Sequence, residues 1–141
     1  NIALGHDEIT DEQIVNSLTL AGGHALGNDL HSVLNGICTD RGGNLSGGQK
    51  QIISLARALV FDAEFLLLDE PTSSMDTAME AEFLNTLKEY GSKKTIVLVT
   101  HKPSLLQSCD RVIIMGSGQV AWDGSFSNYL KLIKERKAAL K

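Results

Sequence analysis

The sequence predicts an α/β fold: a helical subdomain, a partial parallel sheet, and a hairpin and helix at the C-terminal end. Three observations carry this. Residues 1–60 hold two apolar patterns at helical spacing and no strand-sized alternation. Two short continuous apolar runs, Phe65–Leu68 and Thr95–Thr100, flank a third helical pattern over residues 77–90, the order of a βαβ unit. Last, Arg111–Met115 and Gln119–Asp123 flank Gly116-Ser117-Gly118, which reads as an antiparallel hairpin. The division follows: residues 1–60 form the helical subdomain, and residues 61–141 form the part that carries the sheet.

Taken in order, Thr10 or Asp11 can cap a first helix whose Ile14, Val15, Leu18 and Ala21 recur at helical spacing, and Gly22-Gly23 stops it. A short helix is expected near Asp29–Leu34, and Asp40–Asn44 reads as a loop. A second long helix starts at Ser46 and carries Ile52, Ile53, Leu55, Ala56, Leu59 and Val60 on a broad apolar face. Phe65–Leu68 is too short and too uniformly apolar for a half-exposed strand and reads as one buried on both faces. Residues 77–90 place Ala78, Ala81, Phe83, Leu84 and Leu87 on one helix face and end at Gly91. A basic amphipathic helix, about Phe126–Lys137, closes the chain, its cations near the end that suits the helix dipole.

Bulk properties narrow the function classes. At 141 residues, 43% hydrophobic and 21% charged, the chain has the composition of an ordinary globular domain with one core, expected to be soluble. A net charge of −4 offers no basic field for a phosphate backbone, so no nucleic-acid partner is expected. Cys38 and Cys109 are far apart and lack metal-type neighbours, and they read as free or buried thiols of a reducing compartment. No apolar run approaches the ~20 residues that cross a bilayer. The opening Asn1-Ile2-Ala3-Leu4 has neither an initiator Met nor a secretory pattern, and reads as a cut from a longer polypeptide.

Three elements carry chemistry. Leu45-Ser46-Gly47-Gly48-Gln49 immediately precedes a helix: Ser46 can cap it, and the glycines leave backbone N–H groups bare at the positive end of the dipole, where a phosphate fits. A flexible loop with a good cap would look the same. Phe65–Leu68 ends in Asp69-Glu70, two acids at the carboxyl edge of a sheet, where ligands bind in open α/β folds. Neighbouring strand residues point to opposite sides, so one acid can hold magnesium through water while the other orients an attacking water. Solvated loop acids are the plainer alternative. Pro71-Thr72-Ser73-Ser74-Met75-Asp76 follows at once, and His101 ends the next strand, where it can meet a terminal phosphate. His6, His24 and His31 carry no site reading.

In this order and spacing the elements resemble the nucleotide-binding domain of ABC ATPases, a P-loop NTPase-like fold, over nearly the whole chain. Leu45–Gln49 is similar to the family signature, Phe65–Glu70 to the Walker B strand, Ser73-Ser74-Met75-Asp76 to the D-loop, and Thr100-His101 to the switch histidine. The resemblance implies that Ser46, Gly47 and Gly48, with Leu45 and Gln49 framing them, contact the γ-phosphate of ATP held by an opposite subunit. It implies that Asp69 supports Mg²⁺, Glu70 polarises the attacking water, His101 steadies the γ-phosphate, and Asp76 with Ser73 and Ser74 links the two sites. A second nucleotide-binding domain, as a homodimer, and transmembrane domains are the implied partners, at the cytoplasmic face of an inner or plasma membrane.

The sequence departs from the family in one large respect. No G-x-x-x-x-G-K-[ST] loop occurs, nor any Gly-Lys pair, and Ser92-Lys93-Lys94-Thr95 does not fit that spacing. The expectation is therefore that the Walker A part lies outside this sequence, that the chain alone is an inactive ATPase that binds ATP weakly, and that bare sheet surface makes it self-associate. Thr39-Asp40-Arg41-Gly42 stands where the family often has Gly-Glu-Arg-Gly, and Ile52 stands where many members carry arginine. The Asn-Ile-Ala-Leu-Gly opening, Leu20-Ala21-Gly22 and Ser73–Asp76 look most like exporters, first bacterial type I secretion ATPases for toxins or other proteins, then multidrug or lipid exporters. A soluble ABC ATPase of chromosome maintenance and a non-catalytic ABC-like module are the alternatives. The first fits poorly with the acidic balance, the second with an intact Glu70 and His101.

Overall fold

A computed structural model describes residues 1–92 and 94–139, the side chains of 136–139 apart. Lys93 of the Ser92–Thr95 stretch, and the Arg136 and Lys137 side chains of the basic helix end, thus lie outside the described residues. The chain forms two compact units, Asn1–Val99 and the residues from Thr100 onward.

The first unit begins with α1 (Asp11–Leu20), capped by Thr10. The Thr10 hydroxyl accepts from the Gln13 N–H at 3.2 Å, and the Gln13 side chain accepts from the Thr10 N–H at 2.8 Å, a reciprocal pair that satisfies two orphan donors. Past Ala21 the backbone turns left-handed at Gly22 (φ +82), which ends the helix. Asp29 caps the four-residue α2 (Leu30–Val33). α3 (Gly47–Leu59) is capped by Ser46 and buries Ile52, Leu55, Ala56 and Leu59, the i, i+3, i+4, i+7 stripe its sequence spells. These meet Leu18, Ala21, Leu66, Leu68 and Phe83 in one core that runs through both sides of residue 60. Each large aliphatic side chain so buried contributes about 1.5–3 kcal/mol.

β1 (Phe65–Asp69) and β2 (Thr95–Val99) pair in parallel, Phe65 opposite Thr95 and Asp69 opposite Val99, with α4 (Thr77–Gly91) as the crossover between them. Two expectations need correction here. β1 is not buried on both faces: Leu66 and Leu68 point inward, but Phe65 (58% exposed) and Leu67 (64%) do not, and Val97 and Val99 share that bare face. The reason is pleating, since alternate residues face opposite ways and the first unit covers one face only. On α4, Phe83, Leu84 and Leu87 are buried while Ala78 and Ala81 are exposed, because the inward stripe continues through half-buried Met79 rather than through the alanines.

In the second unit, Pro103 opens the short α5 (Pro103–Leu106). β3 (Arg111–Gly116) and β4 (Gln119–Ser125) form the hairpin, with an irregularity between Ile114 and Met115. Its turn residues Ser117 (φ +49) and Gly118 (φ +75) are both left-handed, the twist that suits two-residue hairpins. Arg111 grips Asp123 across the strands through two bonds, Nε to Oδ1 at 2.7 Å and Nη2 to Oδ2 at 2.5 Å. α6 (Phe126–Ala139) follows, with the Tyr129 ring 5.7 Å from that of Trp122. Cys38 and Cys109 are free thiols, and burial pushes the Cys109 thiol up from its ordinary range.

Candidate active site

The glycine turn is built from the start of α3. Ser46 Oγ accepts from the Gln49 N–H at 3.2 Å, and Gln49 Oε1 accepts from the Ser46 N–H at 2.9 Å. Gln49 Nε2 also donates to the Ala25 carbonyl at 3.2 Å, which fastens the start of α3 to the turn after α1. Two donors of the first turn are satisfied internally in this way. The amides of Gly47 and Gly48 open the helix, have no carbonyl four residues back within it to donate to, and lie at the dipole's positive end. Gly48 has a second reason to be glycine: a Cβ there would come within 3.3 Å of the Ser74 carbonyl oxygen and of Met79 Cε. The turn is thereby pressed against the segment that follows the acids. Leu45 is half-buried and lines a cavity of about 350 Å³ behind the turn, walled by Leu18, Leu26, Val33, Leu34 and Ile53. Asn1, Asp11, Asn44 and Gln49 give that cavity a partly polar wall, and neither Asp69 nor Glu70 lines it.

The two acids end β1. Asp69 is exposed, on the same face of the sheet as Leu67 and Val99. Glu70 is half-buried and its backbone is left-handed, φ +44, a region that non-glycine residues seldom occupy and that is held only where the surroundings fix it. They do so here: the Glu70 N–H donates to the Val99 carbonyl at 2.9 Å, and its carbonyl accepts from the Ser73 N–H at 3.1 Å. Among the described residues no cluster of three or more His, Cys, Asp or Glu is arranged to hold a metal alone. A single strand-end carboxylate such as Asp69 fits a magnesium ion that keeps water and substrate phosphate oxygens as ligands and is supported by the carboxylate through water.

Past the acids the chain turns tightly. Buried Thr72 donates to Glu80 Oε2 at 3.1 Å, and Met75 is buried. Ser73 and Ser74 are exposed. Asp76, expected to link two sites, has its carboxylate on local work as well: Oδ1 accepts from the Met79 N–H at 2.9 Å and caps α4.

The first unit therefore sets Gly47 and Gly48 against Ser74, while Ser46 caps α3 and Asp69, Glu70, Ser73 and Asp76 follow one another from the end of β1 to the cap of α4. His101 is exposed and opens the second unit, in a turn where the Lys102 N–H donates to Thr100 Oγ1 at 3.0 Å. One residue escaped the sequence reading. Gln51, two positions beyond Gln49, donates from Nε2 to the Glu70 carbonyl at 3.2 Å and accepts at Oε1 from Ser73 Oγ at 3.3 Å. A polar residue at the edge of the apolar face of α3 was its sequence signal.

Comparison with known proteins gives this geometry its relatives. Residues 9–73 match the family described as ABC transporter, and residues 43–107 match one described as AAA domain, putative AbiEii toxin, Type IV TA system. The chain is 39% identical to ABC transporter B family member 1 of Arabidopsis thaliana over 93% of its own length and 10% of that protein. It is 35% identical to the Toxin RTX-I translocation ATP-binding protein of Actinobacillus pleuropneumoniae, over 92% of its length and 18% of that protein. Identity to the ATP-dependent lipid A-core flippase of Desulfotalea psychrophila is 38%, over 94% of the chain and 23% of that protein. A solved bacterial Atm1-family ABC exporter with ATP bound superposes with a TM-score of 0.76 at 27% identity, over 92% of this chain and 23% of that one. The chain thus spans about a tenth to a quarter of the length of these relatives.

Proposed function

This chain belongs to the ABC transporter family, and on that premise we propose that it is the signature-bearing portion of an exporter's ATP-hydrolysing subunit. Residues 1–60 act as the signature subdomain and residues 61–141 as the C-terminal part of the ATPase core. The observation that carries this reading is the close approach of Gly48 to Ser74, which sets the bare amides of one helix beside the turn that follows the acid pair. Anion-binding amides and a water-orienting acid on one piece of structure suit an enzyme that meets two nucleotides at once.

In the complete protein, Gly47 and Gly48 donate to the terminal phosphate of ATP held by an opposing copy, with Ser46 beside them and Leu45 and Gln49 holding the turn in shape. Glu70 takes a hydrogen bond from the attacking water and orients it; Asp69 would support magnesium through water. Magnesium, when bound, neutralises the charge that builds on the phosphate oxygens. His101 donates to the terminal phosphate, and Ser73, Ser74 and Asp76 connect one site to the other. Its partners are a second such domain and the transmembrane domains of the same transporter, at the cytoplasmic face of the inner or plasma membrane. No helix of the described residues is itself long and apolar enough to cross a membrane. Because the sequence holds no Gly-Lys phosphate loop, the chain alone binds ATP weakly and does not turn it over.

The cargo we propose first is a toxin or other protein secreted by the type I route, in keeping with the toxin translocation relative. A lipid or multidrug exporter is the second reading, favoured by the somewhat higher identity to the lipid A-core flippase. The test is Glu70→Gln in the complete protein. Turnover is expected to fall by about 10²–10⁴-fold, the usual contribution of a positioned general base, while the ATP-bound dimer persists. Unchanged turnover refutes the assignment.

A further inference from the structure

Gln51 reaches from the signature helix to the backbone of the proposed water-orienting acid. Its two ends do different things. Nε2 donates to the Glu70 carbonyl at 3.2 Å, and Oε1 accepts from Ser73 Oγ at 3.3 Å. Ser73 closes the ring, since its own N–H donates to the same Glu70 carbonyl at 3.1 Å. A carbonyl oxygen has two lone pairs, and here both are used.

The ring surrounds a residue that needs holding. Glu70 has φ +44, and a left-handed glutamate relaxes unless its neighbours prevent it. On the amide side the restraint is the bond to Val99 of β2; on the carbonyl side it is Gln51 and Ser73. The Val99 bond belongs to the sheet and stays with it. The Gln51 bond belongs to α3, the helix whose first turn carries Gly47 and Gly48. A shift of α3 along or about its axis therefore acts on the Glu70 peptide through one side chain about one helical turn from the glycines.

We infer that Gln51 is a positioning residue for ATP hydrolysis: it holds the strained Glu70 peptide so that the carboxylate is aimed, and it ties that aim to the anion-binding end of the same helix. This rests on the reading of Glu70 as the acid that orients water. A phosphate seated on Gly47 and Gly48 of one copy steadies α3, and α3 steadies the acid that acts on that copy's own nucleotide.

The test uses the complete protein with Mg²⁺ and ATP. Gln51→Leu keeps the bulk and removes both polar ends, and kcat is expected to fall about ten- to a hundredfold, as when an outer-shell partner is lost, with KM for ATP within about twofold. Gln51→Glu keeps the shape and the acceptor for Ser73 but has no donor while ionised. Its kcat relative to wild type is expected to be low at about pH 8 and to climb as the pH falls towards the carboxyl range, where the protonated side chain donates again. A packing role for Gln51 gives no such climb. Wild-type kcat in Gln51→Leu, or a flat Gln51→Glu ratio across that range, overturns the inference. If Gln51→Leu does not fold, the Gln51→Glu profile decides alone. Normal turnover in Glu70→Gln is a separate failure: it removes the reading of Glu70, and this inference with it.

Discussion

Helix α3 and the strand pair β1–β2 both read from the sequence as buried elements, and they bury differently. α3 sinks Ile52 (0% exposed), Ala56 (0%) and Leu55 (4%) in the core and turns Ser46, Lys50 and Ser54 to the outside. The strands cover Leu66 and Leu68 but leave Phe65, Leu67, Val97 and Val99 on an open apolar face. A helical period names the face to be covered and, by its polar residues, the face that is not. A continuous apolar run says only that both faces can be covered, and nothing in it says by what. The face that stays open is also the one that Asp69 belongs to, so the sheet's unfilled side and the acid proposed to support magnesium lie together.

The sharpest way to break this contrast is a pair of truncations in the 141-residue chain. Ile52→Ala removes a fully enclosed side chain and is expected to destabilise by about 2–5 kcal/mol in urea unfolding. Leu67→Ala, 64% exposed, is expected to stay within about 0.5 kcal/mol of wild type. Equal losses at the two positions would mean that the strand face is covered after all.

The open face has a second consequence. Apolar surface next to unpaired strand edges is a template for association, so the isolated chain is expected to form dimers or larger species with rising concentration, seen by light scattering. Leu67→Lys combined with Val97→Lys puts charge on that face and is expected to move the chain towards monomer while α3 keeps its stability. A wild-type chain that is strictly monomeric over a wide concentration range sinks this expectation.

Local chemistry made the helix starts legible. Thr10 with Gln13, and Ser46 with Gln49, are three apart and end up as reciprocal caps. The glycine turn before α3, the acids after β1 and the hairpin at Ser117-Gly118 were also readable, since each depends on residues within a few positions of one another. What the sequence left hidden is long-range. Gln51 meets Glu70 nineteen positions away, and only the packing of α3 on β1 makes that contact. The left-handed Glu70 had no signal, because nothing in a glutamate announces positive φ. The burial of Phe83, with Ala78 and Ala81 outside, turned on which of two neighbouring helical stripes meets the core.

Asp76 offers a finer cut between a folding role and a site role. Its carboxylate caps α4, so Asp76→Ala is expected to lower stability by about 1 kcal/mol. Asp76→Asn keeps the capping oxygen and is expected to keep stability. In the complete protein the asparagine variant then isolates the charge: a fall in turnover without a fall in stability supports the communication role proposed for Asp76. Unchanged turnover leaves the cap as the residue's whole function and removes it from the site.

The smallest expected effect is electrostatic and belongs to the joint between the two compared regions. Lys94, just before β2, reaches back to the turn after α3, where it donates to the Asp62 carboxylate, to the Asp62 carbonyl at 2.8 Å and to the Ala63 carbonyl at 3.2 Å. Its ammonium stands 4.5 Å from the centre of the Tyr90 ring. The hydrogen bond from Lys94 holds the Asp62 carboxyl below its ordinary range, and the same bond holds Lys94 above its own. A depressed carboxyl adds stability above its unfolded pKa, about 3.9, and loses it as the pH falls through the folded value. A raised ammonium adds stability below about 10.4 and loses it as the pH rises through its folded value. The clamp is therefore complete between about pH 5 and about pH 9. Lys94→Met, which keeps the stem and removes the charge, is expected to lower the urea midpoint slightly and by a constant amount across that range. The gap from wild type then narrows below about pH 4, as Asp62 becomes protonated in both proteins. The gap produced by Ile52→Ala comes from lost packing and does not narrow there. Parallel curves for Lys94→Met and wild type through acid pH would show that the three oxygen contacts work by geometry alone and that the ion pair adds nothing to the joint.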